Sequence, residues 1–395
     1  MTIRLRGITW DHPRGYQPLA ANTAKLTAAH PGIEVTWQRR SLRDFGVQPI
    51  EDLAKQFDLL VIDHPFAGRA KALGCLHDLR PLFPADFHAM LAAESVGPST
   101  RSYDYGGLWG LPTDAACQVA SYRPDLLAGL GHEAPPATFD DVLALGRKAR
   151  KAGKWLTLPT CQTDSSCLVA SISANLGHPM RADTDRMLDP AVFEATLGHL
   201  RQLVELSNPE SRDWNPIETY DAMVARDDLV YLPFAFGYTN YSRAGVSRPL
   251  TFANVAGPGP DPRAGAILGG AGCAISAHCT NVEAAVTYLA WVHQPAHQAG
   301  DYVAEGGQPG LRAAWTDPAA NALCGDFFAN TLETIDKAFL RPRFDGFIPA
   351  YEHMALLVHR WLKHGGDMKA LITDANDTYA RACETAARAD DRRND

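Results

Sequence analysis

The tripeptide Asp-His-Pro occurs twice near the start of the chain, at residues 11–13 and again at residues 63–65. Each copy follows an apolar stretch typical of a β-strand, and we predict that these two strands are neighbours in a parallel sheet. Both turns would then lie at one carboxyl edge of the sheet, where α/β proteins bind ligands. Two imidazoles and two carboxylates could also hold zinc or another divalent ion. Proline after each histidine favours two similar strand-end turns instead, so we predict no metal and no cofactor.

Cys117 could supply a nucleophile, because a thiolate is reactive once its pKa is lowered. The nearby carboxylate of Asp114 would raise that pKa, and no basic partner can be assigned from the sequence. We therefore expect Cys117 to fill a tight crossing between two domains, with covalent catalysis as the alternative. The 8 cysteines contain no Cys-x-x-Cys pair, which argues against a zinc ribbon or a thioredoxin-like site. Unpatterned thiols in this number are more typical of a reducing compartment.

A ligand rich in hydroxyl groups requires flat aromatic faces and planar polar side chains within a cleft. Residues 234–243 interleave both kinds of side chain directly after a predicted strand. The predicted aromatic contacts are Trp10, Phe236, Tyr238, Tyr241 and Trp315. The predicted polar contacts are Asp11, His12, Asp63, His64, Asp114, Gln118, Gln162, Asn240, Gln308 and Arg343. Gly270 joins this set because a glycine allows the backbone to approach closely.

Two arginines flank a proline at residues 341–343. A guanidinium fork matches a carboxylate or a phosphate, and this pattern assigns Arg343 to a clamp on the ligand. We expect Arg341 to form an ion pair that braces the C-terminal helices.

Length and charge restrict the class of protein. A chain of 395 residues exceeds one ordinary core, so two domains are predicted. A formal net charge of −8 without a long basic run argues against nucleic acid or an anionic membrane as the main partner. No apolar run is long enough to insert into a membrane, and the first residues enter a strand without a signal peptide. The sequence as it stands therefore predicts a cytoplasmic protein, or a periplasmic one if the native start lies upstream of Met1.

The predicted elements open with a β-α-β-α-β pattern, which is typical of a parallel sheet. Strands are predicted at residues 3–9, 33–39, 59–62, 118–122, 155–159 and 229–233. A polar loop is predicted at residues 160–166, before an apolar helix at 167–176, and such a loop suits hydroxyl groups or an anion.

The stretch Gly107–Leu127 contains a Gly-Leu-Trp-Gly-Leu-Pro turn, a strand, and the helix start Tyr-Arg-Pro-Asp-Leu-Leu. Together with Phe57–Val61, Ala134–Asp141 and Gly306–Pro309, it resembles the extracellular solute-binding proteins of ABC importers. The likeness is to the large carbohydrate-binding family that includes maltose-binding protein, and it extends over nearly the whole chain.

This resemblance implies an α/β fold of the two-lobed periplasmic-binding-protein type (type II), with doubly wound sheets, an interdomain cleft and a helical C-terminal region. The N-terminal lobe is expected to comprise residues 1–113 and 266–312, and the C-terminal lobe residues 114–265 and 313–395. It also implies a monomer that closes by hinge motion over a carbohydrate or polyol. An exported protein of this kind would deliver its solute to an ABC transporter permease. Two alternatives on the same fold are a thiaminase-like cytoplasmic enzyme with Cys117 as nucleophile and a cytoplasmic ligand sensor.

Overall fold

The computed structural model describes residues 2–394, with the side chains of residues 2–389. The strands are β1 (Ile3–Trp10), β2 (Ile33–Arg40), β3 (Leu59–Ile62), β4 (Leu111–Tyr122), β5 (Trp155–Leu156), β6 (Leu229–Phe236), β7 (Thr251–Ala253) and β8 (Leu268–Ile275). The helices of the first half are α1 (Pro13–Ala29), α2 (Leu42–Val47), α3 (Ile50–Ala54), α4 (Ala67–Leu73), α5 (Ala85–Ala93), α6 (Pro124–Gly129), α7 (Phe139–Lys151) and α8 (Gln162–Asn175). Those of the second half are α9 (Pro190–Leu206), α10 (Pro216–Ala225), α11 (Val282–Val292), α12 (Pro295–His297), α13 (Arg312–Thr316), α14 (Pro318–Leu323), α15 (Phe327–Asp336), α16 (Phe347–His364) and α17 (Met368–Asn394).

Within the described residues, the strands form one mixed sheet in the order β2-β1-β3-β8-β4-β6-β5, with β7 paired to β4. Strand β1 is parallel to both β2 and β3, as the opening pattern predicts. Strand β4 is long enough to serve two parts of the molecule, because residues 111–117 pair with β8 and residues 118–122 pair with β6. The crossing between the lobes is therefore a shared strand.

Buried apolar side chains divide into separate cores. One core takes its residues from Leu5 to Leu111 and from Ala271 to Leu311. A second core extends from Ala120 to Ile267 and includes helices α16 and α17. A third lies beside β4 and contains both Cys117 and Trp315. The first and last residues of the predicted lobes, 1 and 395, lie outside the described part of the chain.

Helix α8 begins earlier than predicted, because residues 162–166 of the polar stretch are helical and only residues 160 and 161 remain outside the helix. Two serine hydroxyls of this turn bond backward to main-chain carbonyls: Ser165 Oγ donates to Thr160 O at 2.9 Å, and Ser166 Oγ donates to Thr163 O at 2.8 Å. The polar side chains that indicated a loop are thus accommodated within a helix.

Gly270 lies in β8 opposite Ala115 of β4 and has a φ of +93°. A side chain at this position would meet Asp114 O and would lie 2.7 Å from Ala115 Cα. The backbone of the shared strand therefore requires glycine at position 270, for a reason that involves no ligand.

Replacing Gly270 by Ala is expected to destabilise the protein by more than about 2 kcal/mol, because strain at positive φ adds to the backbone collision. Gly177→Ala is the matched control, since Gly177 has a φ of +89° and no atom within 4 Å of the added carbon. Urea unfolding of both variants measures the difference. Equal losses of stability in the two variants would show that the collision with the backbone of β4 adds no cost at position 270.

Candidate functional site

The two Asp-His turns lie at one edge of the sheet, because β1 and β3 are paired neighbours. His12 caps helix α1, and its Nδ1 accepts from Arg14 N at 3.1 Å. Burial lowers the pKa of His12 to about 4, so its imidazole is neutral. Asp11 is exposed and forms an ion pair with Arg39 at 3.1 Å. The first turn thus presents a neutral ring beside a solvated carboxylate.

The second turn is buried. Asp63 forms an ion pair with Arg341, with Oδ2 2.8 Å from Nη2. Burial alone would raise the pKa of Asp63, but Arg341 outweighs it and holds that pKa well below its usual range. His64 is fully buried, and burial lowers its pKa to about 4. His64 Nδ1 lies 3.1 Å from Asp63 Oδ1, whereas Nε2 has no hydrogen-bond partner among the described residues.

Among residues 2–389, no group of three or more histidine, cysteine, aspartate or glutamate side chains is arranged to hold a metal ion. The two Asp-His turns therefore do not combine into a metal site. Each carboxylate is already held by an arginine, which is the physical reason: Asp11 by Arg39 and Asp63 by Arg341.

A buried ion pair stands where the first turn meets the shared strand. Arg14 Nε donates to Asp114 Oδ2 at 2.9 Å, and Arg14 Nη2 donates to Asp114 Oδ1. Arg14 Nη1 also donates to Gly237 O at 2.9 Å, in the segment after β6. Burial opposes the guanidinium charge, but the Asp114 carboxylate outweighs it and raises the pKa of Arg14. The sequence interpretation named Asp114 and missed Arg14, whose position two residues after a histidine cap gave no signal.

Tyr238 is the predicted aromatic residue most closely joined to this junction. Its ring lies 4.7 Å from the guanidinium carbon of Arg14 and makes an edge contact with His12 at 4.9 Å. Phe236 lies at the end of β6 and faces Gly269, whose lack of a side chain accommodates the ring. The segment after β6 therefore brings one aromatic face to the polar turns of the first lobe.

The remaining aromatic candidates serve packing. Trp10 is 5% exposed and packs against Phe45, with ring centroids 5.3 Å apart. Tyr241 donates its hydroxyl to Asp221 at 2.8 Å. Trp315 is 1% exposed in the core beside β4, and its Nε1 donates to Pro309 O at 2.8 Å. We assign none of these three a ligand role.

Two of the predicted amides are buried at the shared strand. Gln118 is fully buried, and its Oε1 accepts from Ser171 Oγ of α8, while its Nε2 has no hydrogen-bond partner. Gln308 is also fully buried, but its Oε1 accepts from Thr239 N at 3.1 Å and its Nε2 donates to Ala115 O at 3.4 Å. Gln118 therefore offers a free donor, whereas Gln308 is occupied in joining two crossing segments.

The other predicted polar residues are placed differently. Gln162 is an exposed residue of the first turn of α8, with Nε2 3.4 Å from Glu352 Oε2. Asn240 keeps a buried Oδ1 without a partner. Arg343 Nη1 donates to the carbonyls of residues 101, 102 and 104 at 2.8 to 3.0 Å. These hydrogen bonds hold the Arg343 guanidinium against a loop of its own chain, so few of its N–H groups remain to clamp a ligand.

Cys117 is 2% exposed within the core beside β4. Burial raises the pKa of its thiol, with the charge of Asp336 adding to the effect. A nucleophilic thiol requires the opposite shift. All 8 cysteines are free in the structure. The geometry therefore favours the packing role of Cys117 over covalent catalysis.

The sequence interpretation missed a group of residues on helices α8, α10 and α16 of the second lobe, and we call this surface the wall of that lobe. Asp164, in the first turn of α8, is buried and accepts a hydrogen bond from the Cys161 thiol at 3.0 Å. Burial raises the pKa of Asp164 to about 7. Glu352 of α16 contacts Gln162 of the same turn, 190 residues away in the chain, and Tyr351 precedes it on α16, so neither gave a local signal.

Comparison with known proteins identifies the family. The sequence pattern described as "Bacterial extracellular solute-binding protein" matches residues 22–321. Among the residues that the structure describes, no helix is both long enough and apolar enough to cross a membrane. The family is extracellular by its description, so the expectation of a cytoplasmic protein has no support from it. A comparison with curated proteins found no match.

Solved structures with the same fold include maltose-bound MalE3 of T. maritima, with a TM-score of 0.80 and 17% identity over 97% of this chain and 99% of that one. An ABC substrate-binding protein from Listeria monocytogenes in complex with cycloalternan matches with a TM-score of 0.81 and 16% identity over 97% and 100%. A solute-binding protein from Agrobacterium radiobacter K84 in complex with ribitol matches with a TM-score of 0.77 and 18% identity over 96% and 98%.

At such low identity these structures show the fold alone, and they confirm the predicted two-lobed α/β architecture. The family match covers most of the chain and confirms the resemblance seen in the crossing segment. The chain belongs to the family of bacterial extracellular solute-binding proteins.

Proposed function

We propose that this protein binds a carbohydrate or polyol between its two lobes and acts as the substrate-binding component of an ABC importer. The observation that carries the proposal is the set of buried polar atoms without protein partners at the junction of the lobes. They are His64 Nε2, Gln118 Nε2 and Asn240 Oδ1, none of which has a hydrogen-bond partner among the described residues. Buried polar atoms are normally hydrogen-bonded, so atoms left free in this way are matched to a partner that comes from outside.

The character of these atoms agrees with a ligand of many hydroxyl groups. A hydroxyl both donates and accepts, so it can serve a neutral imidazole and an amide N–H alike. Tyr238 adds a flat ring for the C–H face of a sugar. The solved relatives in complex with maltose and ribitol bind ligands of this class.

The organisation of the chain supports closure around such a ligand. We propose lobes close to the predicted ranges 1–113 with 266–312 and 114–265 with 313–395, because the separate cores divide near these positions. The shared strand β4 and the antiparallel β8 would form the hinge. Family membership supports a transporter permease as partner, and we propose that the protein works in the periplasm as a monomer.

A thermal-shift screen followed by calorimetry tests the proposal. At about 100 times its Kd, a ligand is expected to stabilise the protein by about 2.7 kcal/mol. The probes are maltose, ribitol and D-mannitol, with amino acids as the contrasting class. Mass spectrometry of each mixture should recover the ligand unchanged. If no sugar or polyol raises the melting temperature, or if a probe is consumed, the proposed function fails.

A substitution at Gln118 links binding to this junction. Gln118→Leu removes the free Nε2 donor and is expected to weaken the best sugar or polyol at least tenfold, because the ligand hydroxyl would be left unpaired. Gln56→Leu is the matched control, because Gln56 is an exposed glutamine just after helix α3 and far from Gln118 in the sequence. Unchanged affinity in the Gln118 variant would show that the binding site does not lie at the shared strand.

A further inference from the structure

Three carboxyl groups on the wall of the second lobe lack a cationic partner. They are Asp164 of α8, Glu218 of α10 and Glu352 of α16. No lysine, arginine or histidine nitrogen in the described residues lies within 4.0 Å of any of them in an ion pair, whereas ion pairs are frequent elsewhere. Asp164 accepts only from the Cys161 thiol at 3.0 Å, Glu352 from Gln162 Nε2 at 3.4 Å, and Glu218 from Asn215 N at 2.8 Å.

Asp164 feels the charges of the other two carboxyl groups. Burial is the main cause of the raised pKa of Asp164, and the charges of Glu218 and Glu352 add to it. The raised pKa of Glu352 has the same main cause, burial. The wall therefore holds buried carboxyl groups whose ionisation no ion-pair partner among the described residues supports.

The arginines nearby are already committed. Arg14 is bound bidentately by Asp114, and Arg341 is bound by Asp63. Arg341 and the exposed Arg43 influence Glu352 only at longer range. Because Arg14 and Arg341 each have their own carboxylate, neither neutralises Asp164 or Glu352 as an ion-pair partner.

A second, independent feature indicates that this wall faces a ligand. Tyr351 is 4% exposed, and its hydroxyl has no hydrogen-bond partner of good geometry. That hydroxyl faces Ser166 and Cys167 of α8, and the thiol of Cys167 also feels the charges of Asp164 and Glu352. This nearly fully buried hydroxyl therefore lies between α16 and α8, the two helices that carry Glu352 and Asp164.

The face of α8 that carries Asp164 also reaches the shared strand. Ser171 follows Asp164 by seven residues, which is about two helical turns, and it donates to Gln118. Tyr238 feels the charge of Asp164 as well. Asp164 is therefore close to the junction that holds the free Gln118 donor and the Tyr238 ring.

From these observations, and resting on the proposed function, we propose that the ligand carries a protonated amino group, as an amino sugar or amino polyol, and that Asp164 and Glu352 accept its N–H donors. An ammonium supplies three donors and one positive charge, which is what this wall lacks. A metal ion is the other common source of positive charge, but the described residues form no group able to hold one.

Matched pairs of probes that differ only in the amino group test the proposal by calorimetry at pH 7. They are 1-amino-1-deoxy-D-sorbitol against D-sorbitol, D-glucosamine against D-glucose, and the glucosamine disaccharide from chitosan against cellobiose. In at least one pair, the amine is expected to bind at least tenfold more tightly than its neutral counterpart. Asp164→Asn is expected to reduce that preference to less than threefold, and Glu352→Gln to reduce it in part.

Asp140→Asn is the matched control, because Asp140 is an exposed aspartate in the first turn of another helix, α7, of the same lobe. It should leave every affinity unchanged. Equal affinity for amine and neutral probes would overturn the amino-group inference and leave the carbohydrate proposal intact. A preference that survives both Asp164→Asn and Glu352→Gln would overturn the assignment to this wall. Binding of none of these probes, nor of maltose, ribitol or mannitol, would overturn both.

Discussion

Replacing Arg14 by Met is expected to lower the free energy of unfolding by about 3–5 kcal/mol, one of the largest losses a single residue can cause in this chain. The Arg14 and Asp114 side chains are 4% and 1% exposed. Methionine fills much of the same volume, so the loss comes mainly from leaving the Asp114 carboxylate buried without its partner. The Gly237 carbonyl also loses a donor, and the Tyr238 ring loses its cation. Chemical unfolding in urea measures the effect.

Two further variants separate this charge effect from loss of packing. Arg4→Met removes an arginine from an exposed pair with Glu34, and it should change stability by less than about 1 kcal/mol. Adding Asp114→Asn to Arg14→Met removes the unpaired charge and should recover part of the loss. An Arg14→Met variant as stable as the Arg4→Met variant would show that the buried pair does not hold the junction together.

The position of the Asp-His turns could be predicted from sequence, because strand order and the period of apolar residues are local properties. Strand β3 has the predicted limits, and β1 and β2 end one residue beyond theirs. The partners of those turns could not be predicted. Asp63 meets Arg341 across 278 residues, and Arg14 meets Asp114 across 100. Such pairs are fixed only when the whole chain packs, so no spacing in the sequence records them.

Helix α8 shows how composition alone can mislead. Threonine, serine and aspartate at residues 160–166 are typical of loops, because their side chains compete for backbone hydrogen bonds. Here the hydroxyls of Ser165 and Ser166 bond backward to carbonyls, and residues 162–166 are helical. Because we interpreted this stretch as a loop, we predicted that Gln162 contacts the ligand and did not select Asp164. In the helix, Asp164 is buried. A buried carboxyl group with a raised pKa was therefore missed.

Asp164→Asn is expected to make the protein more stable than the wild type at pH 8, and about equally stable near pH 4. Burial raises the pKa of Asp164 from 3.8 to about 7, so the folded protein binds a proton that the unfolded chain releases. Wild-type stability from this group is therefore full below pH 4 and is lost as the pH rises toward 7 and above. Asparagine cannot ionise and avoids that loss, a gain of about 2–4 kcal/mol at pH 8.

Burial and the charges of Glu218 and Glu352 raise the pKa of Asp164, and the hydrogen bond from Cys161 opposes them in part. Cys161 before the helix, Cys167 on the helix, and Tyr238 and Glu352 on packed elements have raised pKa values themselves. No facing group is a cation within ion-pair distance among the described residues. Thermal or urea unfolding from pH 4 to pH 8 measures the effect, with Asp140→Asn as the control that should follow the wild type. Parallel pH curves for wild type and Asp164→Asn would contradict the prediction.

Binding of an amine ligand should offset the loss of stability that Asp164 causes at high pH in the wild type, and should have no such effect in the Asp164→Asn variant. A bound ammonium favours the ionised carboxylate, so it lowers the pKa of Asp164 in the complex, and binding releases a proton near pH 7. The affinity of the wild type for 1-amino-1-deoxy-D-sorbitol, which stays protonated in this range, is expected to increase as the pH rises from 6 to 8. The Asp164→Asn variant should show no such increase. Stability of the free protein and affinity for the amine would thus change in opposite directions with pH, because one carboxyl group controls both.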